Sequence, residues 1–69
     1  MITLNQIQSR LAEVIKHSDM TQKAIADAIG VSQQVISSYV KGKKMPALDT
    51  LANLCILLDV DTNYILCQE

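Results

Sequence analysis

Gln33 and Gln34 stand side by side, and Lys41, Lys43 and Lys44 follow shortly after them. A glutamine amide carries one donor group and one acceptor group in a single plane. That pattern matches N6 and N7 of adenine as they are presented in the major groove of a nucleic-acid duplex. Lysine ammonium groups are compact cations suited to phosphate oxygens. Amides that read base edges and cations that hold a backbone together make a polynucleotide-recognising set. Both features also have plainer explanations. Glutamine is a good residue on any solvated helix face, and lysines near a helix C-terminus are favoured by its dipole. The other reactive residues form no set. His17 is alone, Cys55 and Cys67 have no metal-ligand spacing, and no nucleophile–base or carboxylate pair can be assembled. The sequence therefore predicts no enzyme, no cofactor, no metal and no small-molecule ligand.

Which explanation holds depends on the elements that carry these residues. Sixty-nine residues are predicted to form one domain, residues 1–69. A chain of this size buries only about 60% of its unfolded surface, so its core must be dense. The composition is 49% hydrophobic, with Tyr39 and Tyr64 as the sole aromatics, so aliphatic packing has to supply the stability. The apolar runs are far shorter than the roughly 20 residues needed to span a bilayer, and the chain opens on no secretory pattern. Two free thiols fit a cytoplasmic setting, and Cys67 is expected to be a free thiol, not a redox switch. The net charge is −1, but the charges are segregated. Residues 1–46 hold all six bases against Glu13, Asp19 and Asp27, a balance of +3, whereas residues 47–69 hold four acids and no base. A chain that is basic on one side can bind a polyanion despite a neutral total.

The hydrophobic spacing predicts helix throughout. Thr3 and Gln6 form a capping box, followed by Leu4, Ile7, Leu11, Val14 and Ile15 as one stripe of a helix ending near Lys16. After the polar break at His17, Ser18 and Asp19, Thr21 is predicted to cap a helix from Gln22 to Ile29, with Ile25, Ala26, Ala28 and Ile29 facing inward. Gly30 stops it by accepting left-handed geometry. Ser32 then caps a third helix from Gln33 to about Val40, with Ile36, Tyr39 and Val40 inward, and Gly42 ends it. Pro46 breaks the chain before a fourth helix from about Leu48 to Leu58, and Asp61 caps a short last helix that delivers Tyr64, Ile65 and Leu66. The predicted fold is all-α, a five-helix bundle. Its second and third helices must cross steeply because so little chain joins them. Ala26, Gly30 and Ile36 supply the small residue, the turn and the apolar wedge that such a crossing needs.

Residues 21–46, TQKAIADAIGVSQQVISSYVKGKKMP, followed by LDTLANLCILLDVDTNYIL, closely resemble the helix-turn-helix family of phage repressors, Cro proteins and their bacterial relatives, the Cro/C1 or XRE-like type. The resemblance runs from Leu4 to Leu66. It rests on Thr21-Gln22 at the start of the second helix, on Gly42-Lys43 with Pro46 at the end of the region, and on Gln33-Gln34, which is similar to the recognition-helix start of a lambdoid phage repressor. It implies a lambda-repressor-like domain, a bacterial or phage origin, and a regulator, most simply a repressor, that binds a palindromic operator in double-stranded DNA as a homodimer. On that reading the third helix enters the major groove with its N-terminal residues nearest the bases. Gln33, Gln34, Ser37 and Ser38 are the base-contact candidates, and Val35 either meets a thymine methyl or is half-buried. Thr21, Gln22, Lys23, Ser32, Lys41, Gly42, Lys43 and Lys44 are the backbone-contact candidates. The rival reading is a helical protein-interaction module that keeps the fold without operator binding.

Two positions depart from the family pattern. Many relatives pair an arginine on the first helix with a glutamate near the end of the third, and here those positions are Ile15 and Val40. They are expected to pack together in place of the ion pair. Asp19 stands where relatives often have glycine and is expected to tolerate left-handed geometry. For a dimer, Ile56, Leu57, Tyr64, Ile65 and Leu66 exceed what one core stripe needs, with Ile65 and Leu66 assigned to the monomer's own core.

Overall fold

The computed structural model describes all 69 residues. Its helices are α1 (Leu4–His17), α2 (Gln22–Ile29), α3 (Gln33–Lys41), α4 (Leu48–Leu58) and α5 (Thr62–Ile65), with no strand. Four of the five begin at a side chain that satisfies an orphan backbone amide. Thr3 and Gln6 form a complete capping box, and Thr21, Ser32 and Asp61 each accept from an amide two or three residues on. α4 begins at Ala47 without a side-chain cap.

α3 packs against both α1 and α2, while α2 also meets α4 and α1 meets α5. At the centre Leu11, Ile25, Ile36, Leu54 and Ile65 are essentially inaccessible. Burial of each such side chain is worth about 1.5–3 kcal/mol. Ala26, 1% exposed, lets α3 approach α2 at the point where Ile36 enters. Gly30 adopts φ +77°, and its amide donates to the Ala26 carbonyl at 2.9 Å. Ile15 is buried and Val40 is packed against the same core, so both positions of the missing ion pair are apolar and turned inward.

Some inward assignments fail. Leu4, the first residue of α1, is 68% exposed, and the stripe meets the core only from Ile7 onward. Ala28 is exposed, since the buried face of α2 is confined to Ile25 and Ala26 with Ile29 half-buried. Asp19 is not left-handed. Ser18 is extended, and its hydroxyl accepts from the Met20 amide at 3.1 Å, which turns the chain without a positive φ. The left-handed aspartate is Asp59, φ 55°, which closes α4 where glycine is common.

Tyr64 is not a spare apolar residue either. Its hydroxyl donates to Glu13, and the Arg10 guanidinium lies 4.6 Å from its ring centroid. Arg10 also donates to the Tyr64 carbonyl and pairs with Glu69 at 2.7 Å, which binds the C-terminal residues to α1. The hydrogen bond from its hydroxyl to Glu13, joined by partial burial, raises the Tyr64 pKa, and the bond to Glu69 raises that of Arg10. Ile65 is buried and Leu66 packs on the core, as expected.

Candidate nucleic-acid interface

The outer face of α2 and α3 is built from two helix starts. At α2 the Thr21 hydroxyl accepts from the Ala24 amide at 3.0 Å, and at α3 the Ser32 hydroxyl accepts from the Val35 amide at 3.3 Å. Neither helix has an acidic residue in its first turn, so no carboxylate of its own offsets the positive end of its dipole. The amides of Gln22, Lys23, Gln33 and Gln34 take part in no hydrogen bond within the protein. Free N–H groups at a helix N-terminus suit a phosphate oxygen.

Gln33 and Gln34 occupy the first two positions of α3, fully outside the core and without a side-chain hydrogen bond. Their amides are free to meet an external donor–acceptor pair. Ser37 and Ser38, one turn on, are half-buried. The Ser38 hydroxyl donates to the Gln34 carbonyl at 2.9 Å, so its proton is already engaged. It keeps acceptor capacity toward a base donor but has no free proton for a phosphate, which accepts only. Val35 is half-buried against the core, the second of its two assignments.

The far end of α3 differs from the sequence expectation in one respect. Lys41, Gly42, Lys43 and Lys44 are exposed, but the loop's amides face inward. Gly42, left-handed at φ +77°, donates to Ser38 and Tyr39 carbonyls, and the Lys43 and Lys44 amides donate to Ser38 at 2.9 and 3.4 Å. These bonds satisfy carbonyls that the helix end leaves open. The backbone around Gly42 is therefore spent internally, and only the lysine side chains remain for an anion. Thr21 and Lys23 are exposed and Gln22 half-buried at the other helix start, so the cations of one edge and the open amides of two helix ends lie on the α2–α3 unit.

One residue in this region carried no sequence signal. Gln8 of α1 donates its side-chain amide to the Tyr39 carbonyl at 3.1 Å and to the Val40 carbonyl at 3.3 Å. A Cβ added at Gly42 would come within 3.2 Å of the Gln8 amide carbon, so the left-handed φ favours glycine there and any larger residue would also press on Gln8. Arg10 shows the opposite surprise. It is one of six bases, yet Glu69 and Tyr64 hold it on the α1–α5 side.

Comparison with known proteins places this geometry. Residues 11–65 match the family described as helix-turn-helix. The Bacillus subtilis (strain 168) protein named "Uncharacterized HTH-type transcriptional regulator YqaE" is 33% identical over 54 residues, which cover 78% of this chain and 47% of that protein. The chain thus spans about half the length of that relative. The solution structure of the SOS-response transcriptional repressor LexA from Eubacterium rectale is similar with a TM-score of 0.78 at 26% identity, over 96% of this chain and 73% of that one.

Proposed function

The chain belongs to the helix-turn-helix family, and from that premise we propose that it is a sequence-specific DNA-binding transcriptional regulator acting as a repressor. One observation carries the reading: Gln33 and Gln34 project from the first turn of α3 with no partner inside the protein. α3 lies in the major groove, where each glutamine amide pairs with an adenine edge and discriminates by about 1–3 kcal/mol against a wrong base. Ser37 and Ser38 extend that surface. Thr21, Gln22, Lys23 and Ser32 at the helix starts meet phosphates, joined by the side chains of Lys41, Lys43 and Lys44 at the far edge.

A single short helix reads few base pairs, so the protein binds a palindromic operator as a homodimer, its half-sites about 34 Å apart. The protomer measures 33 × 23 × 21 Å, a size that lets two copies at that spacing touch. Leu48, Ala52 and Ile56 follow one another at four-residue steps on α4, all exposed, with Leu48 at 85% and Ile56 at 78%. This ridge is the surface on which the copies meet. The setting is the cytoplasm of a bacterium, beside its own or a phage's genome. No helix is long and apolar enough to cross a membrane.

The same ridge favours the rival reading. It stands in the acid-only third of the chain, and a protein-interaction module would present such a surface to a partner. Selection of bound duplexes from a random pool separates the two. A regulator enriches a palindromic motif, and Gln33→Ala flattens the preference at one position of each half-site. Recovery of no motif would remove the operator reading and leave the module.

A further inference from the structure

The carbonyls at the end of α3 have few donors to draw on. Ser38 receives the amides of the Gly42–Lys44 loop, and Tyr39 receives Gly42. Val40 has no backbone donor, and its bond comes from Gln8, which lies on α1, 32 residues earlier in the chain. The same Gln8 amide bonds to Tyr39 and lies against Gly42. One neutral side chain thus ties the helix end and the start of the lysine loop to the first helix. It does so in a chain whose Ile15 and Val40 leave no ion pair between α1 and α3.

We propose that Gln8 is a positioning residue for DNA binding: its amide holds the Gly42 turn so that Lys43 and Lys44 face the phosphate backbone. The role rests on the DNA-binding reading above. Gln8 touches no nucleic acid itself and acts through the loop. Its contribution is uniform across DNA sequences, because phosphate contacts carry no sequence information.

Gln8→Met keeps the length of the side chain against Gly42 and removes both donors. Gln8→Ala is the companion variant. Both are measured on duplex DNA well below their melting temperatures, so that the folded fraction is equal. The expected result is a loss of binding of about 3- to 10-fold, the order of one neutral hydrogen bond, because both bonds exist in the free protein and only their hold on the loop reaches the DNA. The loss should be the same for preferred and random duplexes. The salt slope should become shallower by about one per protomer as an ordered lysine contact goes. In a Lys43→Ala/Lys44→Ala background, Gln8→Met should cost nothing further. A purely structural role would lower the melting temperature and leave the salt slope unchanged. That outcome, or an additive loss in the Lys43→Ala/Lys44→Ala background, overturns the inference while the DNA-binding reading stands. Failure of the unsubstituted protein to bind any duplex would overturn both.

Discussion

Added salt should weaken the complex with DNA by an amount that the exposed lysines set. Each phosphate neutralised on a duplex contributes about −0.9 to the slope of log K against log[salt]. Lys23, Lys41, Lys43 and Lys44 are exposed on the α2–α3 unit. Arg10 is withdrawn by its bond to Glu69 and its place over the Tyr64 ring, and contributes nothing. Four contacts give a slope of about −3.6 for one protomer, and a dimer gives about −7. Between about 50 and 200 mM salt, affinity falls roughly 150-fold in the first case and roughly twenty-thousandfold in the second. Fluorescence anisotropy of a labelled duplex, repeated across the salt range, measures the slope and so separates one bound protomer from two. Lys43→Ala should make it shallower by about one per protomer, and Gln33→Ala should leave it alone while relaxing sequence preference. A slope near zero in the unsubstituted protein, or a Gln33→Ala slope that falls as far as that of Lys43→Ala, would refute the division between amides that read and lysines that hold.

Other expected outcomes concern the scaffold. Ile36→Ala, at a side chain with no solvent exposure, should cost about 2–5 kcal/mol in urea unfolding and weaken DNA binding only through the lost folded fraction. Gly30→Ala should cost roughly 1–2 kcal/mol, the penalty of left-handed backbone alone, since an added Cβ there meets nothing within 4 Å. Gly42→Ala, where Gln8 must also move, should cost more in the same urea unfolding. Burial raises the Tyr39 pKa above its ordinary 10.0. The unfolded chain therefore releases the Tyr39 proton at lower pH than the folded one, so stability is fully present below pH 10 and falls as pH rises through the folded value. Tyr39→Phe should flatten that alkaline loss, and an unchanged profile would show that Tyr39 is not its source.

The elements legible from the sequence are those whose causes are local. A threonine, serine or aspartate before an apolar-periodic run fixes a helix start within a few residues, which is why Thr3, Thr21, Ser32 and Asp61 all serve as predicted. Gly30 and Gly42 end helices for equally local reasons. What the sequence conceals is reach. Gln8 meets carbonyls on α3, and Arg10 and Glu13 meet Tyr64 and Glu69, across separations of 31 to 59 residues. Nothing in the local pattern marks a surface glutamine or arginine as already engaged. Leu4 and Ala28 fail for a related reason. Periodicity says which residues share a face, but not whether another helix covers that end of it. At the candidate interface, residue types pointed to Gln33, Gln34 and the lysines. Only coordinates reveal that the Ser38 proton and the loop amides are spoken for.

No salt bridge joins the first helix to the third. Ile15 and Val40 are hydrocarbon, and Gln8 meets only carbonyls. Dissolved electrolyte, which screens ions and little else at these concentrations, thus finds no ion pair to loosen between them, and the angle of the third helix should not follow it. The protein should keep the same shape in dilute and in concentrated brine, and whatever ionic strength changes will have changed at its outer boundary.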